Sequence, residues 1–253
     1  MNQPVPSSNS IPYFERLPAL IRTPYLRIRH SKFGRHVLIL TGGTVIARAL
    51  AVLASPLLTR IYQPADFGVL SVFFSMVTAA VTISSLNYEA AIPLPKEDEF
   101  GLNVTAVSFA VLLLNTLLCT GVVIFWAGPL TQLVRTPQLK PYLWLLPLSL
   151  LGAGTFQVLN SWSVRVQDFR SLAQRRIIQA VGQVATQLAT PLFKAGPFGL
   201  LLGDCVGRAG GSVALAVSMH QYTKEHKLHV SAKKFVESAI RYKRFPVFGT
   251  ASV

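Results

Sequence analysis

Asp204 and Arg208 stand four residues apart in "FGLLLGDCVGRAGGSVALAVSM", a run that is otherwise apolar. An acid and a base at that spacing share a helix face and can pair. In a low-dielectric setting such a pair mainly carries two charges inside together, with a net contribution to stability near zero. Two roles fit it. The pair locks its helix in place, or it opens when an anionic ligand competes for Arg208 or a proton for Asp204. Arg48 is a second guanidinium within an apolar run, and Gln179 and Gln183 add large amides one helical turn apart. An arginine at the centre of a membrane helix costs about 2.5–3.5 kcal/mol on insertion scales. Such groups are expected to face other helices or water.

The smaller polar residues are also ordered. Ser71, Ser75, Thr78, Thr82, Ser85 and Glu89 recur at steps of three and four, which predicts a continuous stripe on one helix face. Thr41, Thr44, Arg48, Ser55 and Thr59 make a second stripe, and Gln179, Gln183, Thr186 and Thr190 a third. A lone hydroxyl in a membrane helix means little, because it can bond a carbonyl one turn back. Packing through small residues is the plainer explanation of such stripes. The arginines and glutamines favour a shared hydrated cavity instead. Gly199, Gly203, Gly207 and Gly211 recur every four residues, which predicts a flat seam where another helix backbone approaches.

The elements that must carry these residues follow from composition. The 253 residues are 51% hydrophobic and only 13% charged, with 24 Lys and Arg against 10 Asp and Glu, against about 25% charged in a soluble domain. Long uncharged spans exclude a nucleic-acid binder and point to an all-α polytopic membrane bundle. Six spans reach the roughly 20 apolar residues a bilayer requires: 37–61, 67–90, 101–127, 141–163, 171–193 and 198–219. Residues 1–36 read as a basic, Pro-rich tail and 37–219 as a six-helix lobe. Residues 220–245 read as a basic linker, either a helix on the anionic leaflet or a solvated segment. "FPVFGTASV", over 246–253 with Phe245 before it, reads as the start of a seventh membrane helix. With the N-terminus in the cytoplasm, connecting segments on that side hold eighteen Lys and Arg against four outside, as the positive-inside rule requires.

Other chemistries find little support. Cys119 and Cys205 lie in apolar spans with no CxxC or Cys/His cluster, and read as small buried hydrophobes. "EDE" at 97–99, His226 and His229 read as solvated groups, not metal ligands. A polysaccharide polymerase or glycosyltransferase would need paired carboxylates on a sizeable loop, and the loop from about Gly128 to Lys140 has none. The chain is therefore expected not to be an enzyme and to need no cofactor.

Four runs resemble one family. "SPLLTRIYQPADFGVLSVF" (55–73), "LNYEAAIPLPKEDE" (86–99), "LLLGDCVGRAGG" (200–211) and "RYKRFPVFGTAS" (241–252) are similar to segments of the Wzx-like lipopolysaccharide, O-antigen and capsule flippases. These belong to the multidrug/oligosaccharidyl-lipid/polysaccharide exporter superfamily. The resemblance implies movement of undecaprenyl-diphosphate-linked oligosaccharide across the bacterial inner membrane by alternating access between two six-helix lobes. It also implies that this chain is cut to about the N-terminal half. A second lobe, a second copy, or polymerase and assembly proteins would then be partners, with membrane lipids. On that view Arg48 and Arg208 neutralise the diphosphate. Gln179, Gln183, Ser75 and Thr82 meet sugar hydroxyls, and Glu89 or Asp204 carries a coupling ion. A multidrug exporter of the same superfamily and an inactive fragment are the alternatives. Two buried arginines speak against cationic drugs.

Overall fold

The computed structural model describes residues 32–82, 84, 86–192, 196–242 and 245, with backbone alone for 32–40, 169–171 and 173. The tail up to residue 31, Ser85 and the seventh-helix start at 246–253 lie outside the described residues. Among those described no strand forms. Seven α-helices follow in order: α1 (Lys32–Ile61), α2 (Pro64–Thr82), α3 (Asp98–Leu133), α4 (Leu145–Arg165), α5 (Phe169–Ala189), α6 (Phe198–Glu225) and α7 (Ala232–Arg241). Short 3₁₀ turns sit at Tyr88–Ala91, Pro137–Tyr142 and Thr190–Leu192.

Four of these, over Thr41–Ile61, Pro64–Thr82, Asp98–Leu133 and Phe198–Glu225, are long and apolar enough to cross a membrane. Helices suit that medium because they satisfy every backbone polar group internally. α4 and α5 have 21 residues each, about 31 Å of axis, but are more polar. The cause in α5 is plain: Arg175, Arg176, Gln179, Gln183 and Gln187 all turn toward other helices or a shared cavity, not outward. The outward faces of the apolar helices carry Val52, Leu53, Leu113, Leu114, Leu117 and Leu118, all more than half exposed, as a lipid-facing surface requires.

α6 is the spine. Half of its most apolar window is buried, against 11% for α1 and 17% for α2 and α3. It packs against α5, α4 and α2; α1 rests along α5, and α3 along α4. The glycine seam makes the α5–α6 approach. A methyl at Gly203 would fall on Gln187 Cγ and 3.0 Å from the Gln183 carbonyl oxygen. At Gly207 it would lie 2.9 Å from Gln183 Cβ, and at Gly211 3.0 Å from Gln179 Cδ. On the other side, Gly152 of α4 lies against the backbone of Ala209, and Ser212 Oγ donates to the Gly152 carbonyl at 3.1 Å.

Several expectations need correction. α1 begins at Lys32, inside the stretch read as tail. α2 ends at Thr82, not residue 90: Leu86 and Asn87 take φ of 49° and 59°, which turns the chain out of the helix. The stripe from Ser71 therefore stops at Thr82, and Glu89 is on a different element. α3 runs to Leu133, so the first six residues of the stretch read as a loop from Gly128 on are helical, with its bend at Trp126 three residues before Pro129. α5 begins at Phe169, two residues before the span expected from 171, so Arg170, Arg175 and Arg176 all lie inside it.

The end of the bundle opposite the α1–α2 turn is held by Arg165. Its Nε and Nη2 donate to Asp98 Oδ1 at 3.2 and 2.9 Å, and its Nη1 to the carbonyls of Ile92 and Pro95 at 2.9 and 2.7 Å. Tyr222 Oη donates to the other Asp98 oxygen at 3.0 Å. Within "EDE", Asp98 and Glu99 form a clasp while Glu97 stays exposed: Glu99 also meets Lys234 of α7 at 2.6 Å. That hydrogen bond raises the Lys234 pKa. The Ser231 N–H donates to Asn103 Oδ1 at 3.1 Å, which seats α7 on α3.

Two stability outcomes follow. Gly203→Leu is expected to cost about 1–3 kcal/mol by overpacking, whereas Gly210→Leu, with open space around it, should be near neutral. Arg165→Met strands two carbonyls and half of the Asp98 clasp, and is expected to cost about 2 kcal/mol. Thermal unfolding in detergent, followed by intrinsic fluorescence, measures both.

Candidate functional site

α1, α2, α5 and α6 line an open cavity of about 910 Å³, with Ala153 and Phe156 of α4 along one side. On α1 its lining runs from Thr44 to Leu58, about 21 Å of axis. Arg48, Ala51 and Ser55 share that face. α2 contributes Phe67, Leu70, Ser71, Phe74 and Ser75. α5 contributes Arg176, Gln179, Gln183 and Gln187, and α6 Leu200, Asp204, Gly207 and Arg208.

Six of the eight residues singled out in the sequence meet here: Arg48, Ser75, Gln179, Gln183, Asp204 and Arg208. Thr82 and Glu89 do not. Thr82 sits at the last turn of α2 and donates to the Thr78 carbonyl at 3.0 Å. Glu89, only 6% exposed, accepts a hydrogen bond from Gln157 of α4. The left-handed turn at Leu86 and Asn87 is what carries it away from the α2 face.

Arg208 and Asp204 form the ion pair expected from their spacing, with Nε 2.7 Å from Oδ2. The guanidinium also lies 4.9 Å from the centre of the Phe74 ring, a cation–π distance. Its Nη2 is buried and has no hydrogen-bond partner among the described residues. Arg176 lies within the span expected over 171–193 but is not among the residues singled out in the sequence. Its Nη1 donates to Thr44 Oγ1 at 3.3 Å, and its Nε is buried without a partner. Arg48 is exposed to the cavity and makes no hydrogen bond or ion pair among the described residues. The lining thus holds three guanidinium groups and one carboxylate.

The glutamines do two jobs. Gln179 Nε2 donates to the Arg208 carbonyl at 3.3 Å, and Gln187 Nε2 to the Leu200 carbonyl at 3.4 Å. They fasten α5 to α6 while forming part of the wall. Gln187 was also missed, although it continues the four-residue step from Gln179 and Gln183. The hydroxyls behave more simply. Ser71, Ser75 and Thr78 each donate to a carbonyl three or four residues back, at 2.7–2.9 Å, and keep their oxygen lone pairs as acceptors. Tyr62 is buried and donates to the Gln187 carbonyl at 2.6 Å. Burial, with Asp66 adding to it, raises its pKa to about 12. Asp66 does not cap α2 from outside. It sits in the first turn and reaches back to the Gln63 N–H at 3.0 Å, as the acid of a capping box does.

Both cysteines are free. Cys205 is buried with Sγ 2.7 Å from Ser149 Oγ. Among the described residues no cluster of His, Cys, Asp or Glu could hold a metal. The arrangement suits binding: an anion for the guanidinium groups, and a polar neutral body for the amides and hydroxyls.

Comparison with known families places this geometry. The sequence pattern of a family described as polysaccharide biosynthesis protein matches residues 57–239. The chain belongs to this family. The match covers α2 through most of α7 and the last turn of α1, so it includes every cavity residue except those on α1 before Leu57. No curated protein and no solved structure matches the chain. The chain is therefore a helical membrane protein of the polysaccharide biosynthesis family, with an arginine-lined cavity at its centre.

Water access to that cavity is directly measurable. In a chain with Cys119 and Cys205 replaced by Ala, Ser75→Cys and Gln183→Cys are expected to react with a charged aqueous thiol reagent. Val52→Cys, 70% exposed on the outer face of α1, should stay unlabelled in the bilayer.

Proposed function

We propose that this chain is a transporter lobe that moves undecaprenyl-diphosphate-linked oligosaccharide across the bacterial inner membrane during polysaccharide biosynthesis. The observation that carries the reading is the charge of the cavity: Arg48, Arg176 and Arg208 against Asp204 alone. A diphosphate supplies the missing negative charge and the acceptors that the Arg176 Nε and Arg208 Nη2 donors lack. Gln183 and Ser75 offer exchangeable hydrogen bonds to the first sugars. The prenyl tail stays in lipid. Asp204 is the candidate for ion coupling, since a proton on it frees Arg208. Glu89 is a second candidate, acting through Gln157 at a distance from the cargo.

In this reading all six helices α1–α6 cross the membrane, with the basic N-terminal end of α1 in the cytoplasm. Access alternates as α1, which rests mainly on α5, moves against α2. A second lobe, from another copy or another chain, completes the enclosure.

The test is equilibrium binding of a short-chain prenyl-diphosphate sugar to the purified chain in detergent. Arg176→Gln and Arg208→Gln are each expected to weaken binding about tenfold or more, as loss of a charge-assisted hydrogen bond should. Asp204→Asn should tighten it. A cationic dye should compete poorly. Unchanged affinity in both arginine variants, or tighter binding of the dye, would overturn the reading.

A further inference from the structure

A second cavity lies at the Arg165 end of the bundle, away from the arginine-lined one, with a volume of about 600 Å³. Its floor is apolar: Leu102 and Phe109 of α3, Leu159 of α4 and Met219 of α6. Its rim is basic: Lys224, Lys227 and His229, with His220 beside them. No carboxylate lines it, and neither lysine meets an acid among the described residues.

The sequence arranges this along one face. Ala216, Met219, His220, Thr223 and Lys224 follow at steps of three and one, so they form one stripe along α6, and Lys227 follows in the turn just beyond it. The stripe changes from apolar to basic over about 12 Å of axis between Ala216 and Lys224. Val213 and Val217, beside its apolar part, are 71% and 52% exposed. A groove that opens on a lipid-facing surface and ends in cations matches a molecule with a chain at one end and an anion at the other.

We propose that this groove binds an anionic phospholipid of the adjacent leaflet. The phosphate lies between Lys224, Lys227 and His229, and an acyl chain lies over Met219 and Phe109. The charge complementarity decides the occupant. A zwitterionic lipid would bring its own cation up against the lysines, and a free phosphate would leave the apolar floor uncovered. The bound lipid would bridge α3, α4 and α6 beside the Arg165 clasp and so stabilise that end. The inference does not depend on what the arginine-lined cavity carries.

The experiment uses the purified full chain, delipidated in a mild detergent. Phosphatidylglycerol, phosphatidylcholine and inorganic phosphate are added separately. Thermal unfolding gives the stabilisation, and native mass spectrometry counts retained lipid. Phosphatidylglycerol is expected to raise the unfolding temperature more than phosphatidylcholine, and phosphate alone to have no effect. Lys224→Gln with Lys227→Gln should raise the half-saturating phosphatidylglycerol concentration roughly thirtyfold, since each basic residue near an anionic lipid surface is worth about fivefold. Arg135→Gln with Lys140→Gln, at the opposite end, should leave it unchanged. Equal stabilisation by phosphatidylcholine or by phosphate would overturn the proposal. So would full phosphatidylglycerol retention in the lysine variant.

Discussion

The seating of α5 on α6 sets the geometry of the arginine-lined cavity. Four glycines at every fourth position of α6 remove the side chains that would otherwise hold the two axes apart. Into that space go the stems of Gln179, Gln183 and Gln187, and the amides of two of them reach α6 carbonyls. The contact is then made by both dispersion and hydrogen bonds, which matters where lipid offers no hydrophobic drive between helices. Tyr62 fixes the end of α1 to the Gln187 carbonyl, so α1, α5 and α6 form one wall. α2, packed on the other side of α6 and on α4, forms the facing wall. A larger residue on the seam would change the distance between α5 and α6, and with it the spacing of Arg176 and Arg208.

The charges in that space oppose one another. Arg48, Arg176 and Arg208 come from three helices and line one cavity with a single carboxylate. Like charges in a medium of reduced dielectric repel, and each also loses hydration. Structural need does not explain the set, because α5 and α6 are already joined by glycine contacts and amides. The arrangement is stable where counter-charge or water reaches it. This separates the cavity from the ion pair alone: Asp204 offsets Arg208, and the other two guanidinium groups have no acid within the lining.

Much of this was legible in the sequence. Periodicity placed the glycine seam, the Asp204–Arg208 pair and the polar faces of α1 and α5, because a helix converts spacing directly into direction. It failed where the helix itself stopped. Glu89 follows Ser85 by four residues, but the left-handed residues Leu86 and Asn87 break the register, and no glycine or proline marks that turn. Arg176 was hidden by its neighbours: "RSLAQRR" holds three arginines within one span, and nothing in the stretch marks which of them faces the cavity. The clasp at Asp98 was equally invisible. Its partners Arg165 and Tyr222 are 67 and 124 residues away, and no local pattern reports such distances.

The arginines of this bundle differ in how fully their donors are satisfied, and unmatched donors are not confined to the cavity: Arg175, which does not line it, keeps Nε and Nη1 without a partner among the described residues. Arg165 uses four of its five N–H donors, on one carboxylate and two carbonyls of a connecting segment. Its environment is complete, and a ligand could bind it only by breaking bonds already made. Arg176 makes one long hydrogen bond and keeps a buried donor unmatched; Arg208 has its acid but also an unmatched Nη2. An unmatched buried donor costs about 1–3 kcal/mol, a cost that a ligand acceptor removes on arrival. In the proposed transport role, binding energy in the cavity comes partly from relieving the free protein, and release restores the cost. A carrier benefits from that balance, because cargo held by fully satisfied, Arg165-like groups would not leave.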